Sequence, residues 1–242
     1  MSKAEGVLPI IIAPTFNNER TLGDIVQRIR ATGLPLIVVN DGSTDRTATI
    51  LQKAAEHDPD IQVLMHSHNM GKAAAMQTGF ARAAELNHTH AITIDTDNQH
   101  DPEEIPLLLK AAKEYPNDLI IGARRSDLAN TPWKNRFGRR FSNWLVRIET
   151  GRQISDSQSG FRVYPLELVK AVPCHSQRYN FETEIIARGA RAGFGITEVP
   201  ITSRYLSANE RVTHFRLIRD SIRSVMLHLR LLCRCGKPAK SK

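Results

Sequence analysis

Asp95 and Asp97 stand two residues apart at the end of the apolar run Ile92-Thr93-Ile94, and Gln99 follows them. Carboxylate and amide oxygens suit a hard divalent cation such as Mg2+ or Mn2+. An ion of this kind held by only one or two carboxylates takes its remaining ligands from water and substrate phosphates, so the pattern points to a phosphate ester as substrate. Taken alone, Asp-x-Asp is also an ordinary polar turn. Two more polar clusters follow apolar runs in the same way: Thr15 to Asn18, and Asn40-Asp41-Gly42-Ser43-Thr44-Asp45. Asp41 suits hydrogen bonds from a nucleobase or ribose, and Asp45 suits a helix N-cap.

Other residues extend the list of candidates. Lys72, after Gly71, opens a helical stretch, where an ammonium can meet a phosphate. The surroundings are not a P-loop, because His66 and Ala73 occupy the positions of its first glycine and its Ser or Thr. No Gly-x-Gly-x-x-Gly follows the first apolar run, which disfavours a nicotinamide or flavin enzyme. Arg124 follows an apolar run and can clamp phosphate oxygens; Arg139 and Arg140 come later. Asp156, in the small-residue turn Asp156-Ser157-Gln158-Ser159-Gly160, is either a turn-former or a catalytic carboxylate. Glu182 lies in the first turn of a helical pattern running to Ala190, where the helix dipole alone explains acids. His214, between Arg211 and Arg216, suggests a second anion site.

The elements that must position these residues alternate along the chain. Apolar runs at Pro9–Ala13, Leu36–Val39, Ile61–Met65, Ala91–Ile94 and Leu119–Gly122 predict strands. Between them fall helical patterns: Leu22, Ile25, Val26 and Ile29; then Ala48, Leu51 and Ala55, capped by Ser43 or Thr44; then Ala73 to Leu86; then a helix from Pro102. Strand and helix in alternation imply an α/β fold with right-handed crossovers and a mostly parallel sheet. Ligands bind outside the carboxyl ends of such strands, where all three polar clusters gather.

At 242 residues, one α/β domain with a C-terminal extension fits best. The net charge of +8 is concentrated in residues 216–242, where eight Lys or Arg face one acid, Asp220. Ile218, Ile222, Val225, Met226, Leu229 and Leu232 recur there at helical spacing, predicting a basic amphipathic helix with a flexible tail. Such a helix suits an anionic membrane surface, or packs on its own domain with a solvated basic face. The apolar runs are too short to span a bilayer, and the N-terminus lacks a basic region followed by a signal-like apolar core. That predicts a cytoplasmic protein, peripheral at the inner face of the membrane if the tail binds there. Cys174, Cys233 and Cys235 make neither a disulfide framework nor a four-ligand zinc site.

Five motifs taken in order carry a resemblance. Pro14-Thr15-Phe16-Asn17, Asn40-Asp41-Gly42-Ser43-Thr44-Asp45, Asn69-x-Gly71-Lys72, Asp95-x-Asp97-x-Gln99-His100 and Asp156-x-x-Ser159-Gly160-Phe161-Arg162 resemble family 2 glycosyltransferases of the GT-A fold. Within that family the chain is similar to the dolichyl-phosphate (polyprenyl-phosphate) mannose synthase branch over residues 8–215, which leaves 216–242 as a helix and tail. The stretch Val212 to Asp220 also resembles bacterial family 2 enzymes of lipid and aryl-polyene pathways. The resemblance implies inverting transfer from a nucleoside-diphosphate sugar to a lipid-linked acceptor, polyprenyl phosphate, with Mg2+ or Mn2+ and no nucleic acid. It implies that Pro14, Phe16 and Asp41 hold the nucleoside, Asp95 the ribose or metal, and Asp97 with Gln99 the metal. It implies that Arg124 and Arg139 face the phosphates of donor or acceptor, while Lys72, from its place at a helix start, is a candidate nucleotide contact.

If the acceptor is a hydroxyl, a general base is needed, Asp156 first and Glu182 second; if it is a phosphate, Asp156 orients a neighbour. His214 stands where the branch tends to have lysine, after Thr213 where it has serine, and two departures matter: Asn18 stands where it usually has glutamate, and Arg211 where it usually has glycine. A sugar-phosphate nucleotidyltransferase is a rival, but it usually has a glycine-rich, arginine-bearing loop after the first strand, absent here. A basic module binding nucleic acid or membrane is another, although the acidic clusters would repel a phosphate backbone.

Overall fold

The computed structural model describes residues 6–124, 133–174 and 180–202, the side chains of 133–139 excepted. Strands β1 (Pro9–Thr15), β2 (Leu36–Asn40), β3 (Ile61–Met65) and β4 (His90–Thr93) pair in parallel in the order β3-β2-β1-β4. Helices α1 (Leu22–Arg30), α2 (Thr47–His57) and α3 (Lys72–Glu85) connect them. A 3-10 turn at Pro102–Glu104 leads into α4 (Ile105–Glu114), followed by β5 (Leu119–Arg124) and the 18-residue α5 (Trp133–Thr150). Then come β6 (Arg162–Pro165), α6 (Leu166–Ala171), α7 (Phe181–Arg191) and β7 (Ile196–Ile201).

The sheet has seven strands in the order β3-β2-β1-β4-β6-β5-β7. Its parallel part matches the alternation in the sequence. The exception is β6, which runs antiparallel between β4 and β5, with Ile92 opposite Val163 and Ile120 opposite the same Val163. Pattern reading passes over β6 because it is four residues long, starts on Arg162 and ends on Pro165. β7 pairs in parallel with β5 and extends the sheet further.

The central strands are buried on both faces, and their alternating side chains divide into two cores. Ile10, Ile12, Ile37, Val39, Ile121 and Tyr164 meet the apolar stripe of α3 with Val146, Leu168 and Ile185. Ile11, Ala13, Leu36, Val38, Ile92 and Val163 meet Leu22, Ile25 and Ile29 of α1, Leu51 of α2 and Leu108 of α4. Gly79 belongs to the first of these cores: a Cβ there would lie 2.5 Å from Ile12 Cγ2, so α3 crosses β1 closely at a glycine. Two helix layers thus clamp the sheet and leave the strand ends as its one polar edge.

Candidate active site

The loops after β1, β2 and β4 are sewn together at that edge. Asn18 is buried, takes the Thr47 hydroxyl oxygen through its backbone N–H at 2.9 Å, and donates its amide to Thr96 O at 2.6 Å. Its Oδ1 accepts from the Thr21 hydroxyl. At the position where the resembling branch usually has glutamate, the amide ties the β1 loop to the Asp95–Gln99 loop. Asn17, at φ 47°, accepts from Thr44 N, while Ser43 Oγ accepts from Asn17 N. Asparagine tolerates this left-handed conformation better than most residues. Ser43 and Thr44 are engaged there, so neither caps α2. Asp45 does, accepting from Thr47 N at 3.0 Å and from Glu19 N at 3.2 Å.

Asp41 is 3 % exposed and anchors the chain between β3 and α3. Its carboxylate accepts from Met70 N and Gly71 N, both at 2.8 Å, and lies 2.8 Å from His66 Nδ1. Gly42, at φ +70°, lies beneath the same segment; a Cβ there would come within 2.3 Å of the His68 carbonyl carbon. Asp41→Asn is expected to lower stability by about 1–3 kcal/mol, because an amide cannot accept from all these donors. Thermal melting with and without nucleotide checks it: a loss confined to nucleotide binding, with unchanged melting, would make Asp41 a ligand contact instead. Pro14 is buried within β1 and Phe16 is half-buried just beyond it.

Across the edge, the Lys72 ammonium lies 2.7 Å from Asp95 Oδ1 and 2.8 Å from Glu182 Oε1. Burial alone would depress its pKa, but Asp95 and Glu182 reverse that and hold it above the ordinary lysine value. Thr93 donates to Gly160 O at 2.7 Å and brings Gly160 over the pair; a Cβ on Gly160 would lie 2.5 Å from Asp95 Oδ2. Asp97 is half-buried and accepts from Gln99 N at 3.1 Å. Burial, and then the neighbouring Asp95 charge, push its carboxyl up to about 6. Arg28 braces this loop from α1 by donating to Asn98 Oδ1 and Asp101 Oδ1. His100 packs on Phe161, and burial, opposed by Asp95, pushes it down to about 4, so it is neutral at neutral pH.

Asp156 is fully buried and meets Arg124 with both oxygens, Nε to Oδ2 at 2.6 Å and Nη2 to Oδ1 at 2.9 Å. Arg124 N adds a third bond at 3.2 Å. The turn carrying Asp156 is held from two sides. Glu198 on β7 accepts from Ser155 N, Ser155 Oγ and Asp156 N, and Asn143 on α5 accepts from Ser157 and donates to Ser155 O. Arg162 is also fully buried, its guanidinium donating to the carbonyls of Ser157, Ser159 and Glu182.

The donor set at this edge fits a divalent cation of the open kind. Among the described residues no three His, Cys, Asp or Glu side chains form a closed metal cluster. What the loop after β4 offers is Asp95 and Asp97, two residues apart, and so small a carboxylate set leaves ligand positions for substrate oxygens.

The model of the glycosyl transferase family 2 matches residues 10–172. The chain belongs to this family. It is 29 % identical over 231 residues to the polyprenol monophosphomannose synthase of Mycolicibacterium smegmatis, covering 88 % of this chain and 87 % of the relative. It is 31 % identical over 202 residues to the undecaprenyl-phosphate mannosyltransferase of Micrococcus luteus, covering 80 % and 82 %. Among solved structures, a mannosyltransferase from Pyrobaculum calidifontis in complex with GDP-Man and Mn2+ superposes with a TM-score of 0.68 at 17 % identity, over 98 % of this chain and 67 % of that one. The fold is GT-A.

In this glycosyltransferase the structure brings Asp95, Lys72, Arg124 and Asp156 to one edge with Asp97, Gln99 and the β1 and β2 loops. Arg139 falls in α5, with its side chain outside the described residues; Arg211, His214 and the 216–242 segment also lie outside them. Sequence reasoning missed Glu198, Asn143 and the clasp made by Arg162. Glu198 and Asn143 are single polar residues in elements with no motif of their own, and the motif that ends on Arg162 carries no trace of the three carbonyls it meets, so only tertiary partners give these residues meaning.

Proposed function

We propose that this chain transfers a sugar, with inversion at the anomeric carbon, from a nucleoside-diphosphate sugar to polyprenyl phosphate. The sugar carbon's bond to the diphosphate breaks as its bond to the acceptor oxygen forms, and the nucleoside diphosphate leaves. The observation that carries this reading is the two-point bond between Asp156 and Arg124. A hydroxyl acceptor needs a general base. Asp156 is fixed to a guanidinium, and Glu182 is buried against Lys72. A lipid phosphate is already ionised and needs neither. The names of the bacterial relatives, both transferases of polyprenyl phosphates, support the same acceptor.

In this reading Asp156 fixes the plane of Arg124 at the end of β5 so that the guanidinium faces phosphate oxygens. Mg2+ or Mn2+, held by Asp97 with Asp95 and Gln99, supplies positive charge against the departing diphosphate when bound. Pro14 and Phe16 border the nucleoside, and Arg139 joins the phosphate contacts.

A polyprenyl-phosphate acceptor lies in a bilayer, so in this reading it is reached at a membrane surface; among the described residues no helix is long and apolar enough to cross one. Helix α5 supports such a contact. Ser142, Val146 and Glu149 face inward, whereas Phe141, Trp144 and Ile148 are 43 %, 55 % and 47 % exposed at helical spacing. Arg140 and Arg147 are exposed beside them. Apolar and cationic groups on one surface suit an anionic bilayer. The basic 216–242 segment adds to the same attraction.

The test is transfer from a panel of UDP- and GDP-sugars, with Mn2+, to undecaprenyl phosphate or to diacylglycerol in anionic vesicles. Expected is a glycosyl phosphodiester with release of nucleoside diphosphate, and a loss of vesicle binding of about tenfold in Phe141→Ser/Trp144→Ser. Transfer to diacylglycerol alone would replace the phosphate acceptor with a hydroxyl. Unchanged vesicle binding in the double variant would remove α5 from the membrane contact.

A further inference from the structure

Lys72 stands at the start of a helix, where an ammonium can meet a phosphate, yet it is held by two carboxylates of the protein itself. The three partners come from three elements: Lys72 is the first residue of α3, Asp95 follows β4, and Glu182 lies in the first turn of α7. Gly160 closes over them, since a Cβ at that position would lie 2.8 Å from Lys72 Nζ. Glu182 is 3 % exposed, and its second oxygen, Oε2, lacks a hydrogen-bond partner among the described residues. Leaving a buried carboxylate oxygen unmatched is costly, so the arrangement calls for a reason beyond packing.

The reason lies in the charge count of the site. Asp95 and Glu182 share the ammonium of Lys72, and Asp97 lies two residues beyond Asp95 on the same loop. Without it, Asp95 and Glu182 would face each other uncompensated beside the Asp97 loop, and that added negative charge would attract a divalent ion whether or not a donor were present. With it, one oxygen of Asp95 is already taken. We propose that Lys72 is a resident competitor for the divalent cation, held on Asp95 by Glu182, which keeps metal affinity low until the diphosphate of the donor supplies further oxygens. Lys72 and Glu182 are thus positioning residues that couple metal binding to nucleotide binding. This inference rests on the reading of Asp97 as the metal ligand.

The coupling is thermodynamically reciprocal, so Mn2+ and nucleotide each raise the affinity for the other. A positive charge removed from within a few ångströms of a divalent ion changes its affinity strongly at the effective dielectric of a partly buried site. The experiment is a titration of the full chain with Mn2+, free ion being followed by its paramagnetic resonance signal, alone and with UDP or GDP. Lys72→Met is expected to bind Mn2+ alone about tenfold or more tightly than the natural chain, and to lose a similar factor from the nucleotide's effect. Glu182→Gln is expected to do the opposite, weakening Mn2+ alone, because Lys72 then turns wholly to Asp95.

Lys72→Met leaves two buried carboxylates facing each other and can fail to fold. Lys72→Met/Glu182→Gln removes both charges together and is still expected to bind Mn2+ more tightly than the natural chain. Mn2+ affinity no higher than natural in either Lys72 variant overturns the proposal. Asp97→Asn distinguishes that failure from failure of the metal site. If nucleotide-dependent Mn2+ binding survives Asp97→Asn, the ion sits elsewhere, and the proposal falls with the site.

Discussion

Asp156→Asn is expected to lower turnover by about 100-fold or more at every pH between 6 and 9, with the shape of the pH profile unchanged. The substitution keeps the size of the side chain and removes its charge. Arg124 then loses one of the two carboxylate oxygens that hold its guanidinium in a plane. Breaking a buried pair by removing one partner costs about 3–5 kcal/mol, part of it in stability and part in the aim of Arg124. Arg124→Lys is expected to be nearly as damaging, since an ammonium is a point charge and cannot span both oxygens. The double variant should lose little more than either single one, because the two residues act as a unit. A rate that climbs back with rising pH in Asp156→Asn would show a missing general base and return the reading to a hydroxyl acceptor.

Asp97→Asn is expected to abolish the metal dependence of donor binding and to lower kcat/KM by about a thousandfold, the scale of several kcal/mol of lost transition-state charge stabilisation. The loop itself should survive, because an asparagine Oδ1 still accepts from Gln99 N. Without metal the variant should even melt higher than the natural chain at pH 7. Asp97 has its carboxyl raised from the ordinary 3.8 to about 6, first by burial and then by Asp95. An acid raised in this way is protonated more readily folded than unfolded, so it favours folding below pH 4. That contribution is lost as pH rises through about 6, and above this the charged form opposes folding. Calorimetry of donor binding with Mn2+ and with chelator, beside melting curves at pH 4 and pH 7, tests both halves. Metal-dependent binding that persists in Asp97→Asn would move the cation to other ligands.

The alternation of apolar runs and helical stripes determined most of the parallel sheet, because a strand buried on both faces and a helix buried on one leave separate periodic traces in sequence. The same traces placed Asp41, Asp95 and Arg124 at the ends of strands, where a parallel α/β sheet has its ligand edge. The motifs around Asp95 and Asp156 carried the family. Tertiary structure alone decided how these residues are used. Asp41 looks outward in sequence, yet its carboxylate holds Met70 N and Gly71 N, and Lys72 meets Asp95 and Glu182 from two other elements. β6, antiparallel within an otherwise parallel sheet, is too short for periodicity to register and depends on Arg162 finding three carbonyls, one of them 20 residues further along. Periodicity records which face of an element is buried. Which polar groups share a hydrogen bond depends on contacts between distant segments, and no local pattern carries those.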